Sequence, residues 1–415
     1  ENVNDPQHYQ ILTLSTNYRF GPDVPPDFIN AVQNIRKVVY KGEDGFAEYK
    51  EYMRCMLKCM NGLNMISFGT RPDDVANEID SEEQHRLYTI SEVHAASKQI
   101  NRLLDKKYAE RHTPHIVVKT EFVYGKQTPE NTWDWIPYDT KLNEYESLIY
   151  RNEFAKRYEL ECKNGVIANR FPGAQCPTDR SNNQTKLYVG NKVRFTIPLT
   201  NRDGVTRVLN DSKRESLPDE FKLPTGIFGR VVGFEETTVL VEICNEYDAN
   251  KYNKELEEGK QSIKLNNGFM TTNPVFAIKY SGDLEDPYFK SAFCNYIIPE
   301  KTFNVAVHSY PFTKESASTI HSLQGKTMSV NEKIIYYMHS IKQKDLAGGY
   351  TNKVGAWKGS LPNLLYVALT RSKIPHSNFK LMTGANNISE LLKNITSGKR
   401  PKSYSDLKEF NSHFE

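Results

Sequence analysis

Apolar residues recur at helical spacing in "DFINAVQNIRKVV" and again in "FAEYKEYMRCMLKCM", so helices are predicted over both early stretches. The short run "NMISFGT" is predicted as a strand. "RLYTISEVHAASKQINRLLDKKY" is predicted as a strand entering a helix, with Ser91 and Glu92 near the helix start and a basic tail at its end. That is one strand and helix unit of an α/β domain. From Ala109 to Thr185 the periodicity weakens, and "KQTPENTWDW" and "CPTDRSNNQT" are rich in turn formers, which predicts an irregular insertion.

From Lys186 the period shortens. "KLYVGNKVRFTI", "GIFGRVVGF" and "TTVLVEI" are short β runs punctuated by Gly190, Gly226, Gly229 and Gly233, and a small β-barrel is the simplest assembly of them. The intervening "NRDGVTRVLNDSKRESLPDEFKLPT" is predicted as a charged, solvated loop. "VFAIKY" and "FNVAVHSY" are strand-like, "PNLLYVALTRSK" is a compact apolar run, and the polar tail beyond Pro401 is expected to fray. There is no internal repeat or low-complexity tract.

Composition narrows the class without choosing a function. With 415 residues, 38% of them hydrophobic, two or three domains with a substantial core are expected. No apolar run approaches the roughly 18 residues of a membrane helix, so no membrane partner is expected. The first residue is Glu1 and no signal segment follows, so the chain is expected to be a piece of something longer. A net charge of +3 permits nucleic-acid binding but does not argue for it. The six cysteines lack a C-x-x-C pair, and free thiols in an intracellular, reducing compartment are expected. A structural zinc site using Cys55, Cys59, Cys162 and Cys176 is the minor alternative.

The candidate chemistry begins with "ASTIHSLQGKTMS", whose Gly325-Lys326-Thr327 imitates the end of a phosphate-binding loop. A P-loop needs a glycine five positions before Gly325, where bare backbone N–H groups wrap the phosphate, and that position is Ile320. None of His321, Ser322, Leu323 and Gln324 is a glycine, so the anion-binding nest cannot form and the segment serves another purpose.

Four segments, in order, resemble the second half of a superfamily 1 DNA helicase of the Pif1/RecD-like branch. "LTLSTNYRF" resembles motif IV, "LYVGNKVRFTIPL" with "LPTGIFGRVVGF" the SH3-like barrel of that branch, "ASTIHSLQGKTMS" motif V, and "LLYVALTRSK" motif VI. Ser322 departs from the usual lysine of motif V, and "KESAS" from its usual approach. The resemblance implies an α/β fold: a RecA-like, P-loop NTPase-type second motor domain with an inserted small SH3-like β-barrel. It divides the chain into a first part of the motor domain over 1–108, the insertion over 109–185, the barrel over 186–275, a second part of the motor domain over 276–400, and a tail over 401–415.

The resemblance also implies roles. ATP hydrolysis needs positive charge where the γ-phosphate oxygens gain charge, and an arginine from a second domain supplies it when a cleft closes. Arg371 and Arg19 are the candidates, Tyr18 could stack on adenine or sit in the core, and Gln324 and Gly325 lie toward the nucleotide. Thr319, His321, Lys326 and Thr327 are the candidates for holding a single-stranded phosphate backbone. Arg194, Phe195 and Phe228 either touch the strand or fill the barrel core.

ATP and Mg2+ are the implied cofactors. The P-loop lysine and Mg2+ ligands belong by resemblance to an upstream RecA-like domain 1A, because no GxxxxGK[ST] occurs here and the acid-ended run "TTVLVEI" is taken by the barrel. The implied partner is single-stranded DNA, with RNA as the alternative, and the implied polarity is 5′ to 3′. The long insertion and divergent spacing suggest a viral or mobile-element replication helicase, acting in the nucleus or at a viral replication site. A non-catalytic nucleic-acid-binding protein on a degenerate helicase scaffold is the competing function; the retained arginine motifs argue against it.

Overall fold

In the computed structural model, the described residues are 20, 23–39, 46–81, 87–91, 94–119, 121–127, 129–130, 133–137, 184–210, 213–255, 262–280, 289–298, 301–323, 326, 328–338 and 365–396. The chain divides into two compact units, one formed by Glu1–Thr70 with Leu323–Glu415, the other by Arg71–Ser322.

In the first unit, helix Phe46–Gly62 buries Met53, Met56, Leu57 and Met60, the one-sided stripe that helical spacing predicts. It packs against helices Pro26–Val39 and Ile388–Thr396, the latter burying Leu391, Leu392 and Ile395. Strand Ile66–Ser67 pairs parallel with Phe379–Thr383, in register Ile66 to Leu381, and Phe379–Thr383 pairs parallel with Lys333–Met338. Every residue of Lys333–Met338 after the first is buried, as parallel strands covered on both faces require.

In the second unit, strand Leu87–Ser91 leads to helix His94–Glu110, as the periodicity predicts. Ala96, Ile100, Leu104 and Tyr108 are buried four residues apart on this helix, and it packs on helix Pro72–Ser81 and on strand Ala317–Thr319. Strand Ala317–Thr319 pairs parallel with Leu87–Ser91. The expected α/β class therefore holds.

The second unit also holds a seven-stranded antiparallel sheet, ordered Arg214–Ser216, Thr206–Val208, Val275–Ile278, Thr238–Ile243, Phe228–Glu235, Lys192–Phe195, Phe312–Lys314. Alternation gives it two apolar faces. Val239, Val241, Ile243, Phe276 and Ile278 join Phe195, Phe221 and Tyr252 in the larger core. Leu240, Val275 and Ala277 point the other way, onto Ile263 and Leu265 of the hairpin formed by Ile263–Lys264 and Met270–Thr271. Glu242, the acid ending "TTVLVEI", is buried in this sheet, paired with Arg230 at 2.9 Å and accepting hydrogen bonds from Thr271 at 2.5 Å and Asn273 at 3.2 Å.

Three expectations are corrected. Residues 276–278, assigned to the second part of the motor domain, belong to strand Val275–Ile278 inside the antiparallel sheet, and Lys301–His308 lies in another, between Phe289–Ile298 and Glu121–Gln127. An apolar run does not carry the identity of its pairing partner, which is set by residues far along the chain. The charged stretch 201–225 is not a free loop: Val205, Val208, Leu217, Phe221 and Leu223 are buried between its charges. The 109–185 region is not irregular throughout, since it contains strands His115–Lys119, Glu121–Gln127 and Trp133–Pro137; its remainder from 138 to 183 and the tail beyond 401 lie outside the described residues.

Gly229 sits in the centre of the sheet, opposite Ile243 on one side and Val193 on the other. A Cβ there would collide with Val241 Cγ1 and lie 3.0 Å from the Glu242 carbonyl oxygen. Gly229→Ala is expected to cost about 1–3 kcal/mol by overpacking, read as a lower denaturation midpoint. An unchanged midpoint would show that the strand shifts freely.

Candidate functional site

The site residues proposed from sequence fall into two clusters, one in each unit. In the second unit, the parallel pairing sets Thr319 opposite Ser91, each the last residue of its strand. Ligands of parallel α/β sheets gather at such carboxyl ends. Thr319 is buried, at 8% exposure. The 3-10 turn Ile320–Leu323 follows and contains His321. Ser322, the departure from the motif V lysine, turns inward: its hydroxyl donates to the Thr319 carbonyl at 2.7 Å and pairs with the Ser318 hydroxyl at 2.6 Å.

Behind these strand ends lie contacts that no motif advertises. Asn101, from the helix, donates its amide to the Ala317 carbonyl at 2.9 Å and accepts the Ala317 N–H at 2.8 Å, acting as a neighbouring strand would. The Ser91 and Ser97 hydroxyls meet at 2.6 Å in a buried position. Lys314, in the segment leading to Thr319, pairs with Asp105 at 2.5 Å.

Burial pushes the Asp105 carboxyl above its ordinary value of 3.8, overcoming the lowering influence of Lys314. A carboxyl raised on folding is penalised in its charged form, so the penalty is complete above the folded pKa and disappears as pH falls towards 3.8. The melting temperature of Asp105→Asn relative to wild type is therefore expected to rise with pH through that window and then level off. A difference that falls with pH would reverse the sign of the shift.

In the first unit, residues 365–369 are helical and Arg371 follows in the turn. Its guanidinium donates through Nη1 to the Lys326 carbonyl at 3.1 Å and through Nε to the Val367 carbonyl at 3.3 Å. The Met328 N–H returns a bond to the Arg371 carbonyl at 3.0 Å. Lys326 is half-buried and its own N–H reaches the Leu323 carbonyl at 3.0 Å. The segments proposed as motifs V and VI are thus fastened backbone to side chain. Beyond them, the buried Glu332 carboxylate accepts the Ser329 N–H at 2.7 Å.

Solved structures similar to the chain include Pif1 helicases. It is similar to the Pif1 helicase from Bacteroides in complex with ADP-AlF3 and ssDNA, at 15% identity and TM-score 0.43, over 97% of this chain and 57% of that one. Bacteroides Pif1 bound to ssDNA matches at 14% identity and TM-score 0.40, over 95% and 55%. The Pif1 helicase from Candida albicans matches at 12% and 0.34, over 86% and 58%. The chain spans little more than half the length of these structures. No family model and no curated protein matches it.

Of the residues singled out from sequence, Arg371 and Lys326 come together and Thr319 stands at a strand end, while Tyr18, Arg19, Gln324, Gly325 and Thr327 lie outside the described residues. Phe195 and Phe228 are buried and pack in the core, and Arg194 is held by Glu315 through two bonds of 2.8 and 2.6 Å. Cys55, Cys59 and Cys244 are free thiols, and among the described residues no group of three or more His, Cys, Asp or Glu is placed to hold a metal. Cys162 and Cys176 of the zinc alternative lie outside the described residues. No described helix is long and apolar enough to cross a membrane.

Proposed function

We propose that the chain is the second motor half of an ATP-dependent DNA helicase, a RecA-like domain with an inserted SH3-like barrel that acts with a P-loop-bearing domain 1A. The observation that carries this reading is the bond from Arg371 Nη1 to the Lys326 carbonyl, which fastens a cationic fork to the segment that departs from a P-loop. Arg371, with Arg19, answers the charge that develops on the γ-phosphate. Tyr18, Gln324 and Gly325 border the nucleotide. Thr319, His321, Lys326 and Thr327 hold the phosphates of single-stranded DNA, translocating 5′ to 3′. When bound, ATP with Mg2+ supplies the free energy for cleft closure, and its metal ligands come from domain 1A. A fastened arginine and strand-contact segment turns that closure into displacement of the strand.

ATP hydrolysis by this chain alone and by the longer chain that includes domain 1A, each with and without single-stranded DNA, tests the proposal. No turnover alone and DNA-stimulated turnover by the longer chain are expected. Turnover by this chain alone that Lys326→Ala abolishes would mean that the 325–327 segment binds phosphate as a P-loop does, and would overturn the assignment.

A further inference from the structure

We infer that Lys192 is a positioning residue, a buried strut that fixes the two parallel strands ending in Ser91 and Thr319 against the antiparallel sheet. Lys192 opens strand Lys192–Phe195 and is 5% exposed. A buried ammonium is costly unless its donors are used and its charge is compensated. Here Nζ donates to the carbonyl of Leu87, the first residue of strand Leu87–Ser91, at 2.6 Å, and lies 3.7 Å from the centre of the Tyr88 ring. The Tyr88 ring in turn stands edge-on to Phe228 of the antiparallel sheet, with ring centres 5.4 Å apart.

The backbone of the same residue holds the second strand. The Lys192 N–H donates to the Ser316 hydroxyl at 3.1 Å and its carbonyl accepts the Glu315 N–H at 2.8 Å. Residues 315 and 316 are where the chain leaves one sheet for the other: Phe312–Lys314 pairs antiparallel with Val193, Arg194 and Phe195, and Ala317–Thr319 pairs parallel with Thr89, Ile90 and Ser91. Lys192 therefore grips the beginning of one parallel strand with its side chain and the approach to the other with its backbone. An apolar side chain would fill the same volume; only a long donor reaches the Leu87 carbonyl. The inference rests on the proposed function for what Thr319 does, but its mechanical part stands on these contacts.

The test uses the full chain with Lys192→Met, Lys192→Arg and the milder Ser316→Ala, amide hydrogen exchange, and binding of a fluorescent oligothymidylate at several salt concentrations. In Lys192→Met, which loses the side-chain bond to Leu87 and keeps the backbone bonds to 315 and 316, exchange over 88–91 should accelerate about tenfold, the scale of losing a buried hydrogen bond, with 238–243 unchanged. Oligothymidylate affinity should fall by a similar factor with an unaltered salt slope, because a lysine buried on Leu87 and Tyr88 is withheld from a phosphate backbone, and Lys192→Arg should restore part of it. Ser316→Ala, which removes the acceptor of the Lys192 N–H, should accelerate exchange at 317–319 alone, and it decides the question if Lys192→Met does not fold. Uniform acceleration, or none, would overturn the inference; so would a salt slope reduced by about one, which marks a direct phosphate contact. If wild type binds no oligothymidylate, the helicase reading fails while the exchange arm still judges the strut.

Discussion

Replacing Arg371 with alanine in the longer chain is expected to lower the rate of ATP hydrolysis about a thousandfold or more, the scale on which arginine fingers act. The expectation follows from how the residue is held. Two backbone carbonyls, of Lys326 and Val367, orient the fork, while the Met328 N–H bonds the Arg371 carbonyl. A guanidinium so held can approach a phosphate without losing side-chain freedom at that moment, and it keeps its charge at any physiological pH. Arg371→Lys tests geometry apart from charge: the ammonium lacks the planar fork, so most of the loss should remain. Both variants lose only partly exposed hydrogen bonds, so their melting temperatures should fall by a few degrees at most. The deciding measurement is steady-state turnover at saturating ATP and single-stranded DNA. Turnover within a few-fold of wild type would remove Arg371 from the catalytic role and favour the reading of a nucleic-acid-binding protein without a motor.

The second large effect concerns stability. Phe276→Ala is expected to destabilise the second unit by about 3–5 kcal/mol, the usual cost of deleting a fully buried ring. Phe276 is 0% exposed, with its ring centre 5.4 Å from that of Phe221 and 6.2 Å from that of Tyr252. Its strand lies between Thr238–Ile243 and Thr206–Val208, so both neighbours lose packing together. Little collapse can fill the space, because Phe221 and Tyr252 are themselves buried and pack on each other with ring centres 5.6 Å apart. Urea unfolding followed by tyrosine fluorescence reads the change. A loss below about 1 kcal/mol would mean that the ring is not in the core.

Much of this architecture could be read directly from local pattern. The stripe Met53, Met56, Leu57, Met60 and the series Ala96, Ile100, Leu104, Tyr108 specify their helices, because a helix repeats every 3.6 residues whatever lies beyond it. The missing glycine at Ile320 likewise excluded a P-loop by backbone sterics alone, and the fastening of Lys326 to Arg371 joins two segments that the motif order had already paired.

Tertiary structure decided the rest. "VFAIKY" has the same composition whichever sheet it joins, and only the Phe276 to Val241 pairing assigns it to the antiparallel one. The apolar residues inside 201–225 are too sparse to form a periodic signal, yet Phe221 and Leu223 reach a core supplied by distant strands. Nothing local in the sequence tells that Arg194 is paired with Glu315 at 2.6 Å or that Lys192 is buried on Leu87 and Tyr88. Periodicity records which face of an element is buried, whereas partners, pairing order and the fate of single charges depend on contacts across more than a hundred residues, as between Lys192 and Leu87 or Arg194 and Glu315.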